Sequence, residues 1–410
     1  MIPINFLKPV KFQNIRGSTD CNSYMIIQKT KFIFISFFLI SSNLLALDDF
    51  IKPPEPILSV GSFILIDANT GAVLAEKNSS MRIEPASLVK IMTTYVAAHA
   101  LKAGHVNLTD NAIVSEKAWR MEGSRMFIEV GSEVSVESLL NGIIIQSGND
   151  ASVALAEHIY GTETSFVSQM NVFADKLGLT ETSFGNVTGL PGKDTYTTAK
   201  DVVNLSQKLI YDFPEIYKRF SIETYTYNNI VQRNRNILLR KSRFVDGIKT
   251  GYTESADYCL VSSGDNGSIR LIAAVIGAKT NKARFRDTKA LLDYGFRFFE
   301  SKRLFENFTT IKKVKVWEGE DDEIEIGSSK DIFALRPAGY SEPVDFDIVM
   351  NKKLRAPIKK GQKIGNIVIE NYIGNKMVYD LIALEDVAEG GFFKRMIDSV
   401  LILFEEDEYE

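Results

Sequence analysis

Residues 84–95 read "EPASLVKIMTTY". Inside this apolar, helix-like run a hydroxyl, Ser87, and an ammonium, Lys90, stand three positions apart, just after Pro85. Residues at i and i+3 share a helix face, and proline is tolerated only near a helix start. Ser87 therefore belongs to the first turn, beside the positive end of the helix, and Lys90 follows on the same face. A neutral serine is a poor nucleophile without a base in reach. Lysine can be that base where desolvation lowers its pKa, and an apolar helix supplies desolvation. The helix start also offers backbone N–H groups to an oxyanion.

A Ser-x-x-Lys pair alone is as well explained by a capping serine and a lysine stem lying on apolar surface. Two further elements change that. Ser147-Gly148-Asn149 breaks the run "VESLLNGIIIQSGNDASVALAEHIYG" (136–161) into two predicted helices, and Lys249-Thr250-Gly251 opens the strand-rich segment 244–278. The order and setting of the three are those of serine acyl-transferases that process penicillin or the wall peptide it mimics.

Around these motifs the pattern predicts a mixed fold. "SFILIDANTGAVLAEKN" (62–78) reads as strand, turn and strand. Residues 112–140 read as mixed, with short strand-like runs. A helix is expected over 166–179, and Thr198 is placed to cap the next one. Residues 244–278 read as strand, glycine-marked loop, strand, turn and strand, and 282–301 as a long closing helix. After about residue 305, apolar and polar residues alternate between Gly and Asn turns, as in a small all-β domain. In "EGGFFKRMIDSVLILFEEDEYE" (389–410), Phe393, Met396, Ile397, Val400, Leu401 and Phe404 fall on one helical face, with Lys394, Arg395, Asp398 and Ser399 opposite. Membrane contact is favoured for this helix over docking on the protein's own surface, and Glu405, Glu406, Asp407 and Glu408 should weaken binding to anionic lipid.

The chain resembles the D-alanyl-D-alanine carboxypeptidases, low-molecular-mass penicillin-binding proteins of the type-5 group. The three motifs carry the likeness, together with "DGIKTGYT", "GFRFFES", "YTYNNIVQRNRNILL" and "EGGFFKRMID", over roughly residues 50–404. It implies an α/β (α+β) serine β-lactamase/transpeptidase-like domain at 50–305, a small all-β sandwich-like domain at 306–388, and an amphipathic membrane-anchor helix with an acidic tail at 389–410. It implies Ser87 as nucleophile, Lys90 as general base and Ser147 as proton relay to the leaving amine. Asn149, Lys249, Thr250, Gly251 and Tyr252 would bind substrate, with the N–H groups of Ser87 and Tyr252 as oxyanion hole. Arg284 would hold the terminal carboxylate, a role its two-pronged cation suits. Tyr252 stands where the best-known members carry histidine. The expected substrates are peptidoglycan stem peptides and the expected inhibitors β-lactams, with no cofactor and no metal; residues 392–404 would meet a membrane surface.

Residues 29–47, "KTKFIFISFFLISSNLLAL", have the basic and short apolar regions of a secretory signal. A leader is expected at 25–46, behind an upstream extension of 1–24, which implies a bacterial periplasmic protein on the outer leaflet of the cytoplasmic membrane. Loss of Cys21 with the leader would leave Cys259 alone, read as a buried strand residue, and no disulfide. Formal net charge is −4 with no dominant basic block, which speaks against a nucleic-acid surface. His99 and His158 read as packing or surface residues, and Trp119, near Arg120, Met121 and Glu122, as a candidate for lining the cleft, with a bland structural reading preferred. A class A β-lactamase is disfavoured by the lack of an E-x-x-L-N loop in 160–245. A D,D-endopeptidase and a non-catalytic wall-binding scaffold of the same fold are the remaining alternatives.

Overall fold

The computed structural model describes residues 52–350, 353–372, 374 and 376–404. The expected upstream extension, the leader, Cys21 and the acidic residues 405–408 lie outside them.

The first domain is built on a five-stranded antiparallel sheet of order β2-β1-β9-β8-β7: β1 Ser62–Asp67, β2 Val73–Lys77, β7 Val245–Thr253, β8 Asp257–Asp265 and β9 Arg270–Ala278. Its alternating side chains serve two layers. Ile64, Ile66, Ile272 and Ala274 join a large helical core, while Leu65 and Leu271 lie under Gly295 of α8 (Asn281–Phe298). In the helical layer a 3₁₀ turn, Ala86–Leu88, leads into α1, Val89–Lys102, which is buried all round from Val89 to Ala98 and so forms the centre of the domain.

Around α1 stand the short α2 (Glu116–Trp119) and α3 (Val136–Asn141), then α4 (Asn149–Tyr160), α5 (Glu163–Lys176), α6 (Ala199–Asp212) and α7 (Pro214–Tyr217). Two ribbons flank them, β3–β4 (Asn111–Ile113 with Glu133–Ser135) and β5–β6 (Thr224–Tyr227 with Ile230–Arg233). Thr198 caps α6 by accepting from the Asp201 N–H, as its position predicts. Cys259 is buried in β8, where burial pushes its thiol up to about 11.

One expectation is borne out and one is corrected. The segment 244–278 is strand, loop, strand, turn and strand, with the loop at 254–256 and both Gly247 and Gly251 inside β7. These two glycines mark close approach: a Cβ on Gly247 would stand 2.6 Å from the Tyr217 hydroxyl, and one on Gly251 3.2 Å from the Pro85 carbonyl oxygen. The closing helix α8, Asn281–Phe298, stops before residue 301. Phe299, 1 % exposed, starts β10 (Phe299–Phe305), which pairs with β13 (Ile332–Pro337) of the second domain.

That domain stacks the β10–β13 ribbon on a sheet of order β14-β16-β17-β12-β11-β15, formed by β11 Lys312–Trp317, β12 Glu323–Gly327, β14 Phe346–Met350, β15 Leu354–Arg355, β16 Lys363–Glu370 and β17 Lys376–Ala383. Ile332 and Ala334 from the ribbon meet Ile324, Ile326, Ile367 and Leu381 from the sheet in one core. The last helix, α9 (Phe392–Leu401), does dock on this domain, but through its polar side. Lys394 pairs with Asp322 at 2.8 Å, Arg395 pairs with Glu389 at 2.6 Å, Asp398 accepts from the Glu318 N–H and Ser399 donates to the Glu318 carboxylate. Phe392, Phe393, Met396, Ile397, Val400 and Leu401 remain exposed on the other side. No helix among the described residues is long and apolar enough to cross a membrane.

Candidate active site

Pro85 ends the approach to α1, and its carbonyl accepts from the Leu88 N–H at 3.0 Å, closing the 3₁₀ turn on which Ser87 stands half-buried. Ala86 holds φ +48°, a left-handed conformation that a β-carbon disfavours and the surroundings must enforce. Gly189 and Gly251 do so from two sides. A Cβ on Gly189 would fall 1.7 Å from the Ala86 carbonyl oxygen, and one on Gly251 3.2 Å from the Ala86 Cβ.

One turn on, Lys90 is 1 % exposed and makes no salt bridge among the described residues. Its Nζ lies 2.7 Å from Asn149 Oδ1, 2.5 Å from the Thr188 carbonyl oxygen and 3.3 Å from Ser87 Oγ. Burial, helped by the positive charge of Arg235 and opposed by Asp150, lowers its pKa to about 7. A neutral amine has two N–H donors and one lone pair. With the donors spent on Asn149 and Thr188, the lone pair is left for the Ser87 hydroxyl proton, which is the geometry of a general base.

Ser147 follows a single π-helical turn, Gly142–Gln146, and adopts φ +65°. Its Oγ is buried with no hydrogen-bond partner among the described residues, so a group entering the cleft would be the first to satisfy it. Asn149 opens α4. Its N–H donates to the Ser124 carbonyl at 2.7 Å and its Nδ2 to the Glu122 carbonyl at 2.6 Å, which turns Oδ1 toward Lys90.

On β7, Lys249 is 3 % exposed and donates to the Thr250 carbonyl at 3.1 Å. Burial first, then Lys90, Arg235 and Arg284, push its ammonium well below the usual lysine range. Thr250 and Gly251 are buried, while Tyr252 is 52 % exposed with its ring 4.4 Å from that of Tyr258. Arg284 on α8 is buried. Its Nη1 donates to the Gly251 carbonyl at 3.0 Å and the Cys259 carbonyl at 3.3 Å, so the residue expected to hold a terminal carboxylate also braces β7 from its own side chain. Burial lowers its pKa to about 10.

The structure thus gathers Ser87, Lys90, Asn149 and the β7 segment around one turn, and adds three groups that the sequence reading passed over. The Thr188 carbonyl on Lys90 is held by Asn186 Oδ1, which accepts from the Thr188 and Gly189 N–H groups. Asp150, buried next to Asn149, accepts from the backbone N–H of Met126 and Phe127 and so fixes the loop that meets Asn149. Arg235 donates from Nε to the Gln146 carbonyl at 3.0 Å and bears on both active lysines. The signal for Arg235 was present in "NRN". Asn234 and Asn236 are both buried and bonded to backbone carbonyls, which fixes the arginine between them.

A family model described as D-alanyl-D-alanine carboxypeptidase matches residues 51–280, and one described as the C-terminal domain of penicillin-binding protein 5 matches 299–389. The chain is 40 % identical over 377 residues to the D-alanyl-D-alanine carboxypeptidase DacC of Escherichia coli K12, covering 90 % of this chain and 93 % of that protein. It is 40 % identical over 362 residues to DacA of the same organism, covering 86 % and 89 %. Among solved structures it is similar to penicillin-binding protein 5 from Haemophilus influenzae, with TM-score 0.76, 38 % identity and coverage of 82 % of this chain and 99 % of that one.

Proposed function

The chain belongs to the D-alanyl-D-alanine carboxypeptidase family, and from that membership we infer that it is a serine-type enzyme that trims the terminal D-alanine from peptidoglycan stem peptides. Ser87 Oγ adds to the carbonyl carbon of the penultimate D-alanine while its proton passes to Lys90. The backbone N–H groups of Ser87 and Tyr252 hold the oxyanion. The C–N bond to the terminal D-alanine then breaks as Ser147 passes a proton to the departing amine and takes up in its place the one that Lys90 received from Ser87. Water adds to the acyl-Ser87 carbonyl, the ester bond breaks and Ser87 recovers its proton. The sum consumes one water and releases D-alanine and a shortened peptide. Asn149, Thr250 and Gly251 align the peptide, and Lys249 and Arg284 supply positive charge for its carboxylate. A β-lactam enters by the same acylation.

The observation that carries this reading is Lys90, buried with no salt bridge among the described residues and placed so that its free lone pair meets Ser87. The reading extends to location. A secretory leader at 25–46 would deliver the enzyme to the periplasm, and the exposed apolar side of α9 would seat it on the outer leaflet of the cytoplasmic membrane. The test is D-alanine release from a soluble peptide ending in D-Ala-D-Ala. Ser87→Ala should lower the rate by on the order of ten-thousandfold or more and abolish the mass increase seen with penicillin. Undiminished release from the variant would remove Ser87 as nucleophile.

A further inference from the structure

Of the grooves outside the catalytic cleft, two differ in what they leave free. The larger, about 560 Å³, sits between α6 and the β domain. Its polar groups are largely engaged within the fold: Tyr211 donates to Asn69, Gln207 donates to the Ala68 carbonyl, and Asp212 accepts from Tyr95. The smaller, about 320 Å³, is lined by Trp119, Arg125, Phe127, Glu129, Asn228 and Ile230 among others. Trp119 is 42 % and Phe127 46 % exposed, so two aromatic faces meet solvent in a concave site. Arg125 lies over the Phe127 ring, and neither its guanidinium nor the Glu129 carboxylate has an ion pair or side-chain hydrogen bond among the described residues. Trp119, weighed in the sequence as a cleft-lining residue and set behind a bland reading, lines this separate groove.

This groove adjoins the catalytic turn. Asp150 lines it and also follows Asn149, while Glu122 and Ser124, on the loop that carries Arg125 and Phe127, hold Asn149 in place. Exposed aromatic faces beside unpaired donors and acceptors suit a ring with an apolar C–H face and a polar edge. Its charged lining is one cation, Arg125, with two carboxylates, Glu129 and Asp150, a balance that repels an anion and favours a neutral polyol. A stem peptide in the wall hangs from an amino sugar. We propose that the groove bounded by Trp119, Phe127 and Asn228 is a saccharide subsite that takes an amino-sugar ring of the glycan bearing the peptide. The proposal rests on the wall-peptide reading above and names the part of the substrate beyond the peptide.

The test compares D-alanine release by the full chain and by Trp119→Ala on a free pentapeptide and on the same pentapeptide carried by its disaccharide. The expected result is a fall in kcat/KM on the order of tenfold for Trp119→Ala on the sugar-bearing substrate, mainly in KM, with the free peptide unaffected and Trp119→Phe largely rescuing the loss. An equal loss on both substrates would assign the groove to the peptide, and no loss on either would leave it without a substrate role; each overturns the proposal. A separate arm titrates Ser87→Ala with the peptide-free disaccharide, its lactyl carboxyl capped as the amide, and follows tryptophan fluorescence. A saturable change that Trp119→Phe removes supports the subsite, and a flat titration overturns it. If the wild type released no D-alanine from either substrate, the carboxypeptidase reading would fail while this titration still decided the groove.

Discussion

In the proposed mechanism the chemistry turns on Lys90, and the environment of that residue predicts a pH profile. With the pKa lowered to about 7, the amine is mostly protonated below that pH and cannot accept the Ser87 proton. Acylation by a fluorescent penicillin should therefore rise about tenfold per pH unit below 7 and level off above it. Lys90→Arg keeps a cation that does not titrate, so its acylation should be lower by on the order of a thousandfold and lack the bend. Arg235 lowers the Lys90 pKa by repulsion, so Arg235→Gln should move the bend to higher pH. A profile flat from pH 5 to 9 in the parent enzyme would refute Lys90 as the titrating base. Ser87, Lys90, Ser147, Asn149 and Lys249 could be singled out in the sequence as candidates because each sits in a short motif of reactive side chains. The Thr188 carbonyl could not, because a backbone acceptor leaves no mark on residue type.

At the scale of elements, the 122–128 loop is held by one carboxylate. Asp150 takes the Met126 N–H at 2.9 Å and the Phe127 N–H at 2.8 Å, in a part of the fold where water would not replace it. Asp150→Ala should leave these donors unpaired, cost about 3 kcal/mol and slow acylation, because the same loop fixes Asn149. Thermal unfolding and penicillin acylation measured together check this. A variant as stable and as reactive as the parent would show that the loop holds itself. The elements themselves were well indicated where period and punctuation agreed, as in β1–β2, the α3–α4 break and the Thr198 cap. What stayed hidden shares a cause. The sequence does not show that a tyrosine hydroxyl and a neighbouring turn press against Gly247 and Gly251. The end of α8 was set by the burial of Phe299 and its pairing across to β13, a contact between distant segments that no local periodicity reports.

At the scale of the whole molecule, a catalytic α/β domain is joined without a linker to a β domain, since α8 passes directly into β10. A chain ending at residue 389 should keep both cores and full D-alanine release, yet no longer sediment with phospholipid vesicles that the longer protein binds. Sedimentation of the shortened chain to the same extent would remove α9 as the lipid-binding element. The sequence indicated the amphipathic stripe of α9, but its charged side has partners on the β domain, so docking and lipid contact need not compete. A helix gripped through Lys394, Arg395, Asp398 and Ser399 has little freedom to swing. Adsorbed on a lipid layer by its other side, it would act as a foot rather than a tether. The height of Ser87 above that layer would then be a dimension of the fold, and the enzyme would patrol a thin sheet of wall at one altitude instead of a volume set by linker length.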